Sequence, residues 1–249
     1  MIEIRPRTPA IITETTAVCG FTTRNGGVSS APYNSLNFGF NTADKPANVA
    51  ENHSILHDFL NIDSDSAAQM EQIHGAHVTV VSEGGRYPST DGLITSKAGI
   101  LLGVMVADCI PLLLCDPKKK VVGAIHCGWR PIVGGIAEQA ISIFADEFGS
   151  DPSDIAAVMG PSAGPCCYEI GGEVAERLKP SSLIRRDGKL YVDLRAELSG
   201  NLLDAGVSRS NIEIFSDCTI CGSKLYFSHR RDGLRSGRMM GYIMLQDQV

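Results

Sequence analysis

His74, Cys109 and His126 are the side chains best suited to chemistry. Each stands where an apolar run meets a loop. Gln72-Ile73-His74-Gly75 precedes the run 77–81, Ala107-Asp108-Cys109-Ile110-Pro111 follows 100–106, and His126-Cys127-Gly128-Trp129-Arg130 closes 121–125. A rigid sheet edge aims the loop beside it, so functional groups gather at such places. One thiolate and two imidazoles suit zinc, and three protein ligands leave its fourth position open, as catalysis requires. The three are far apart in the chain, and no H-E-x-x-H is present. On spacing alone the plainer alternative stays open: free cysteine is a common core residue, and a single histidine beside a strand is commonly structural.

Asp108 interrupts an apolar stretch, where an unpaired carboxylate costs several kcal/mol or shifts its pKa. A partner in a site would remove that penalty, so Asp108 is a candidate for proton transfer or for orienting a ligand. Thr22-Thr23-Arg24-Asn25-Gly26-Gly27 offers a glycine-rich turn with exposed N–H groups and an Arg24 fork matched to phosphate. A hairpin turn with an exposed arginine is the alternative. Cys218-Thr-Ile-Cys221 is a lone CxxC, short of the two halves a structural zinc site needs. Cys166-Cys167 reads as packing, His53 and His57 as an exposed helical pair, and the basic stretch 229–238 as a solvated turn. His77, three residues past His74 in extended chain, faces the other side.

The elements that must position these groups are legible from periodicity. Helices are expected at 47–60, 135–148, 172–178 and 194–205. Strands are expected at 77–81, 92–95, 100–106, 112–115, 121–126, 155–159, 212–215 and 242–245. The strands cluster rather than alternate with helices, so the fold class is α+β with mixed β-sheets. No linker or repeat divides the chain, and residues 1–249 are expected to form a single domain.

Composition bounds the function. With 43% hydrophobic and 20% charged residues the chain can bury a core without staples. A net charge of −6 argues against a nucleic-acid partner, which needs a basic face. The N-terminus lacks an apolar signal core. Asp108 and Pro111 break the apolar stretch 99–115, which reads as a buried strand pair rather than a membrane helix. Eight cysteines without a secretory signal suit a soluble, cytoplasmic protein. Neither G-x-G-x-x-G nor a P-loop is present, which disfavours Rossmann and NTPase enzymes.

Eight ordered motifs carry a resemblance. TTRNGGVS (22–29), SLNFG (35–39), QIHG (72–75), DGLIT (91–95), ADCIPLLL (107–114), HCGWR (126–130), GPSAGPCCYE (160–169) and SHRRDG (228–233) together resemble the laccase-domain or polyphenol oxidase family, also described as purine nucleoside phosphorylases. The resemblance implies a layered α/β/β/α fold and a zinc site on His74, Cys109 and His126. It implies phosphorolysis of adenosine, inosine, guanosine and methylthioadenosine, with adenosine deamination alongside. On that reading Arg24 holds phosphate, Asn37 and Gln72 contact the nucleoside, and Asp108 serves catalysis. The partners are purine nucleosides and phosphate, with no membrane, in a monomer or small homo-oligomer. Cys127 and Pro131 depart from the family's usual Ala and Gly. Multicopper chemistry needs His-x-His pairs, whereas this chain has six histidines and no such pair. A single copper at the same ligands is the alternative metal, with weak phenol oxidation. Two further classes are a Cys109–His126 amidase acting on a cell-wall precursor, and a metal-stabilised binding protein closed by a fourth ligand such as His229.

Overall fold

Residues Ile110–Asp116 and Val121–Cys127 are buried at every position. That is the signature of strands covered on both faces. They pair antiparallel, with Pro111 opposite His126. The rest of the fold in the computed structural model, which describes residues 8–12 and 17–246, is built around them.

In chain order the strands are β1 (Ala17–Phe21), β2 (Ala67–Met70), β3 (Val78–Val80), β4 (Gly85–Tyr87), β5 (Gly92–Thr95), β6 (Leu101–Val106), β7 (Ile110–Asp116), β8 (Val121–Cys127), β9 (Ala156–Met159), β10 (Leu183–Arg186), β11 (Lys189–Val192), β12 (Ile212–Ile214) and β13 (Met239–Leu245). The helices are α1 (Pro46–Leu60), α2 (Trp129–Val133), α3 (Ile136–Phe148), α4 (Gly172–Ala175), α5 (Leu194–Asp204) and α6 (His229–Asp232). One sheet runs β1-β13-β6-β2-β4 and the other β12-β9-β7-β8-β5-β3, with β10-β11 as a separate hairpin. Both large sheets are mixed: β2 is parallel to β4 and β6, and β3 to β5, while β7 and β8 are antiparallel.

Three cores define four layers. Between the sheets, Phe21, Leu102, Val104 and Ile243 meet Leu93, Leu113, Ala124 and Val158. Outside the six-stranded sheet, Leu112, Leu114 and Ile125 pack with Ile136, Ala140, Phe144, Leu198 and Leu202 of α3 and α5. Outside the five-stranded sheet, Leu101, Tyr242 and Met244 pack with Leu56 of α1 and with Leu36 and Phe38. The order is therefore α/β/β/α. Full burial of a side chain such as Phe144 contributes about 1.5–3 kcal/mol. α3 stops at Gly149, whose φ of 66° lets its own N–H reach the Ala145 carbonyl and the following Ser150 N–H reach that of Phe144.

The structure corrects several expectations. The stretch 99–115 does supply two buried strands, but β6 and β7 lie in different sheets and do not pair with each other. Asp108 and Cys109 therefore sit on a crossover between sheets, where Asp108 adopts φ 92°. The carboxylate interrupts the apolar run because the chain is changing layers there. α4 ends at Ala175, short of the expected 178. Elements β1, β2, β4, α2, α6 and the β10–β11 hairpin lie outside the expected ones. His53 and His57 are 5% and 8% exposed rather than a surface pair. His53 is held by the Phe38 carbonyl at 3.0 Å and by Gln69 at 3.2 Å.

Candidate active site

Asp91 is the anchor. It is fully buried, immediately before β5. Its carboxylate accepts from the amides of Ile73, His74 and Gly75 at 3.2, 3.0 and 2.7 Å, and from His126 Nδ1 at 2.8 Å. One buried carboxylate thus fixes the loop that carries His74 and the ring of His126. His74 itself has φ 59°, a conformation that its three-amide anchorage sustains. With Nδ1 committed to Asp91, His126 presents Nε2 to the cleft.

Cys109 comes to the same point from the crossover. One ligand atom each from His74, Cys109 and His126 lies within 4.8 Å of the others. The two imidazole rings stand 4.7 Å apart at 81°. Gly128 clears the space: a Cβ there would stand 3.0 Å from the Cys109 sulfur and 3.5 Å from His74 Cδ2. Two nitrogens, one sulfur and a carboxylate behind one histidine suit a zinc ion. Among the described residues His229 is outside this group, although it lines the same cleft.

Electrostatics bind the pair. Burial alone would push the Cys109 thiol up, but the adjoining His126 and His74 rings outweigh it and bring it to about 6. Burial would lower His126, yet Cys109 and Asp91 raise it to about 9. Free of metal, each group thus favours the charged form of the other, Cys109 the thiolate and His126 the imidazolium. Cys127, fully buried one residue on, goes the other way, because burial and the neighbouring Cys109 and Asp91 charges disfavour its thiolate. It is a core residue in the cluster beneath α3.

The three candidate ligands face a cleft of about 850 Å³. Arg130 stacks on Trp129 at 4.4 Å and Arg230 on Tyr168 at 5.0 Å, and Arg238 also reaches the wall. Burial keeps the Tyr168 hydroxyl protonated beyond its ordinary range. The cleft therefore offers cations, aromatic faces and a set of soft donor atoms together.

The sequence-derived candidates divide. Gln72 and Asp108 line the cleft with the three metal-ligand candidates. Gln72 is clasped by Met105, donating to its carbonyl at 2.8 Å and accepting from its amide at 2.9 Å. Asp108 accepts from Thr219 Oγ1 and from the Arg230 amide, both at 2.6 Å. Arg24 and Asn37 are not brought to the cleft. The Arg24 guanidinium donates to the carbonyls of Asn34, Ser223 and Pro32 and lies 4.5 Å over Phe227. Asn37 is fully buried, donating to Thr42 and Asp44 and accepting from the amides of Gly39 and Arg238. Both organise loops. The stretch 229–238 is no solvated turn: Arg230 and Arg238 reach the cleft, and Arg231 donates to the carbonyls of Thr219, Ile220 and Tyr226.

Sequence reasoning missed Asp91, Arg130, Tyr168, Arg230 and Arg238. Asp91 left a signal, a lone carboxylate opening an apolar strand in DGLIT. The arginines left none that separates them from surface charges. Cys166, Cys167, Cys218 and Cys221 also converge, although neither pair is convincing alone.

A family described as multi-copper polyphenol oxidoreductase laccase matches residues 18–246. A protein of Geobacillus stearothermophilus named purine nucleoside phosphorylase YlmD is 37% identical over 245 residues, covering 91% of this chain and 89% of the relative. Purine nucleoside phosphorylase YfiH of Escherichia coli is 36% identical over 239 residues, covering 92% of this chain and 93% of its own. The crystal structure of the hypothetical protein YfiH of Bacillus licheniformis superposes with a TM-score of 0.89 at 30% identity, covering 95% of this chain and 98% of the other.

Proposed function

This chain belongs to the multi-copper polyphenol oxidoreductase laccase family, and from that premise we propose that it is a purine nucleoside phosphorylase with one zinc ion on His74, Cys109 and His126. The observation that carries the reading is a His₂Cys set at the wall of a cleft that also holds Arg130, Arg230 and Arg238. Two relatives named purine nucleoside phosphorylase support the substrate class. When bound, zinc supplies Lewis-acid activation of a water or a substrate oxygen at neutral pH.

The chain's own residues do the rest. In phosphorolysis a phosphate oxygen bonds to ribose C1′ while the bond to purine N9 breaks, and the base leaves carrying a proton. Guanidinium groups hold phosphate through paired N–H donors, a role we assign to Arg130 and Arg230. Trp129 and Tyr168 offer faces for the purine, and Tyr168 holds a proton that it can share with the departing base. Asp108, with both carboxylate oxygens engaged at 2.6 Å, serves as a positioning residue. Gln72 fixes the strand edge beside the nucleoside. Adenosine, inosine, guanosine and methylthioadenosine are the proposed substrates, and adenosine deamination, in which water replaces the C6 amino group as ammonia leaves, is proposed alongside.

The test is product analysis on zinc-quantified protein given adenosine with and without phosphate, beside Cys109→Ala. Adenine and ribose-1-phosphate that appear only with phosphate, inosine in both cases, and loss of all three in the variant are expected. No turnover by protein holding its metal would remove the reading.

One observation favours a second reading. Metal-free Cys109, His126 and Asp91 form a thiolate–imidazolium–carboxylate series, the arrangement of a cysteine hydrolase. Metal content separates the two, because a thiolate held by zinc or copper is not free to attack.

A further inference from the structure

Two loops outside the cleft bring four cysteines together. Cys166 and Cys167 follow β9, and Cys218 and Cys221 follow β12. The Cys221 sulfur lies 3.0 Å from that of Cys167 and 3.5 Å from that of Cys166, and all four sulfurs lie within 4.8 Å of one another. We propose that these four thiolates form a second, closed metal site that binds a structural zinc ion.

Geometry and chemistry support it. Thiolates in tetrahedral zinc sites stand about 2.3 Å from the ion, which places them about 3.8 Å from one another. The separations of 3.0 and 3.5 Å and the 4.8 Å bound bracket that spacing, so shifts of about 1 Å or less reach it. The amides of Gly164, Ile220 and Cys221 are directed at the Cys218 sulfur, that of Gly164 from 3.3 Å. Such N–H donors stabilise a thiolate in a turn. Four sulfurs and no oxygen or imidazole select a soft ion, and four protein ligands leave no open position, so the site is structural. The first half is an adjacent pair rather than a CxxC, and the tertiary fold supplies the convergence that the spacing lacks.

The clip has a purpose. The two loops are already joined by backbone bonds, Thr219 N to Ser162 O at 3.0 Å among them. Between them they hold the crossover of the cleft: Ala163 donates to the Asp108 carbonyl at 2.9 Å and Thr219 to its carboxylate. Tyr168 lies next to Cys167. A metal ion here would lock the loops that set Asp108, Cys109 and Tyr168. The proposal stands whether or not the cleft acts on nucleosides.

The test is metal stoichiometry on the full chain. About two zinc ions per wild-type chain are expected, about one in Cys109→Ala and in Cys221→Ser, and none in the double variant. X-ray absorption of the zinc in Cys109→Ala should show sulfur neighbours alone at about 2.3 Å. Cobalt loading of the wild-type chain requires no variant to fold, and the strong visible bands of a tetrahedral tetrathiolate are expected from it. A Cys109→Ala protein without metal whose four thiols titrate freely would overturn the proposal. So would a Cys167–Cys221 disulfide in the native protein, detected by mass analysis without reduction.

Discussion

Asp91 holds His126 through a 2.8 Å contact at Nδ1, with neither side chain more than 3% exposed. The same carboxylate oxygen accepts the His74 amide. Two metal-ligand candidates from distant parts of the chain are thereby fixed by one side chain, His74 through its backbone amide and His126 through Nδ1, which leaves His126 its Nε2. Partners of this kind typically govern metal affinity by about 10–100-fold. Asp91→Asn is therefore expected to weaken zinc binding by about that factor, as measured by competition with a chromophoric chelator. Unchanged affinity would mean that the buried pair is not a support for the site.

Asp91 also predicts acid sensitivity. Burial opposes its ionisation, but the His126 ring and the Gly75 and Ile73 amides win and hold its carboxyl below the usual range. A depressed folded pKa contributes stability that is present above the unfolded value of about 3.9 and is lost as pH falls through the folded value. Metal-free protein should lose stability over that acid window in denaturant titrations. Asp91→Asn should show a shallower loss there from a lower starting stability.

Cys109 should alkylate in metal-free protein with a half-maximal rate near pH 6, where its thiolate forms. Site-resolved mass spectrometry of iodoacetamide-treated chain checks this and separates Cys109 from the exposed Cys166 and Cys221. Cys127 should remain unlabelled in the same experiment, since it is buried and its thiol is pushed up. Removing the imidazolium with His126→Ala should move the Cys109 profile to higher pH, and added zinc should protect it.

Arginine variants distinguish the cleft from the scaffold. Arg130→Ala is expected to raise the KM for phosphate by about tenfold or more, the scale of one lost charge-assisted contact. Arg24→Ala should leave that KM unchanged and instead cost about 2 kcal/mol of stability, because its carbonyl partners lose their donor. Steady-state kinetics and chemical denaturation on the two variants decide between the roles. The reverse pattern would return Arg24 to the phosphate site.

Gly128→Ala tests packing at the proposed metal site. The added methyl would meet the Cys109 sulfur at 3.0 Å and must push it aside. Zinc affinity should fall by about tenfold with little change in overall stability. A calorimetric titration that finds wild-type affinity would show that the crossover yields without cost.

Much of this protein was legible in its residues because it rests on local rules. The 3.6-residue period of Ile136, Ala140, Ile141 and Phe144 with Gly149 behind it dictates α3. Continuous apolar runs dictate β6, β7 and β8. The metal-ligand candidates were visible as residue types at strand ends and through ordered motifs. What the sequence could not decide was convergence. Whether β6 and β7 pair or part into two sheets depends on which surfaces each buries, and that choice turned Asp108 and Cys109 into a crossover. Whether Arg24 or Arg130 reaches the cleft depends on loops closed by contacts about two hundred residues apart, such as Arg24 with Ser223. The four cysteines show the same limit. An adjacent pair and a lone CxxC carry no metal signature until β9 and β12, paired in parallel, bring their loops side by side. Periodicity reports the surface a segment must bury, while the partner that buries it is chosen only when all layers pack together.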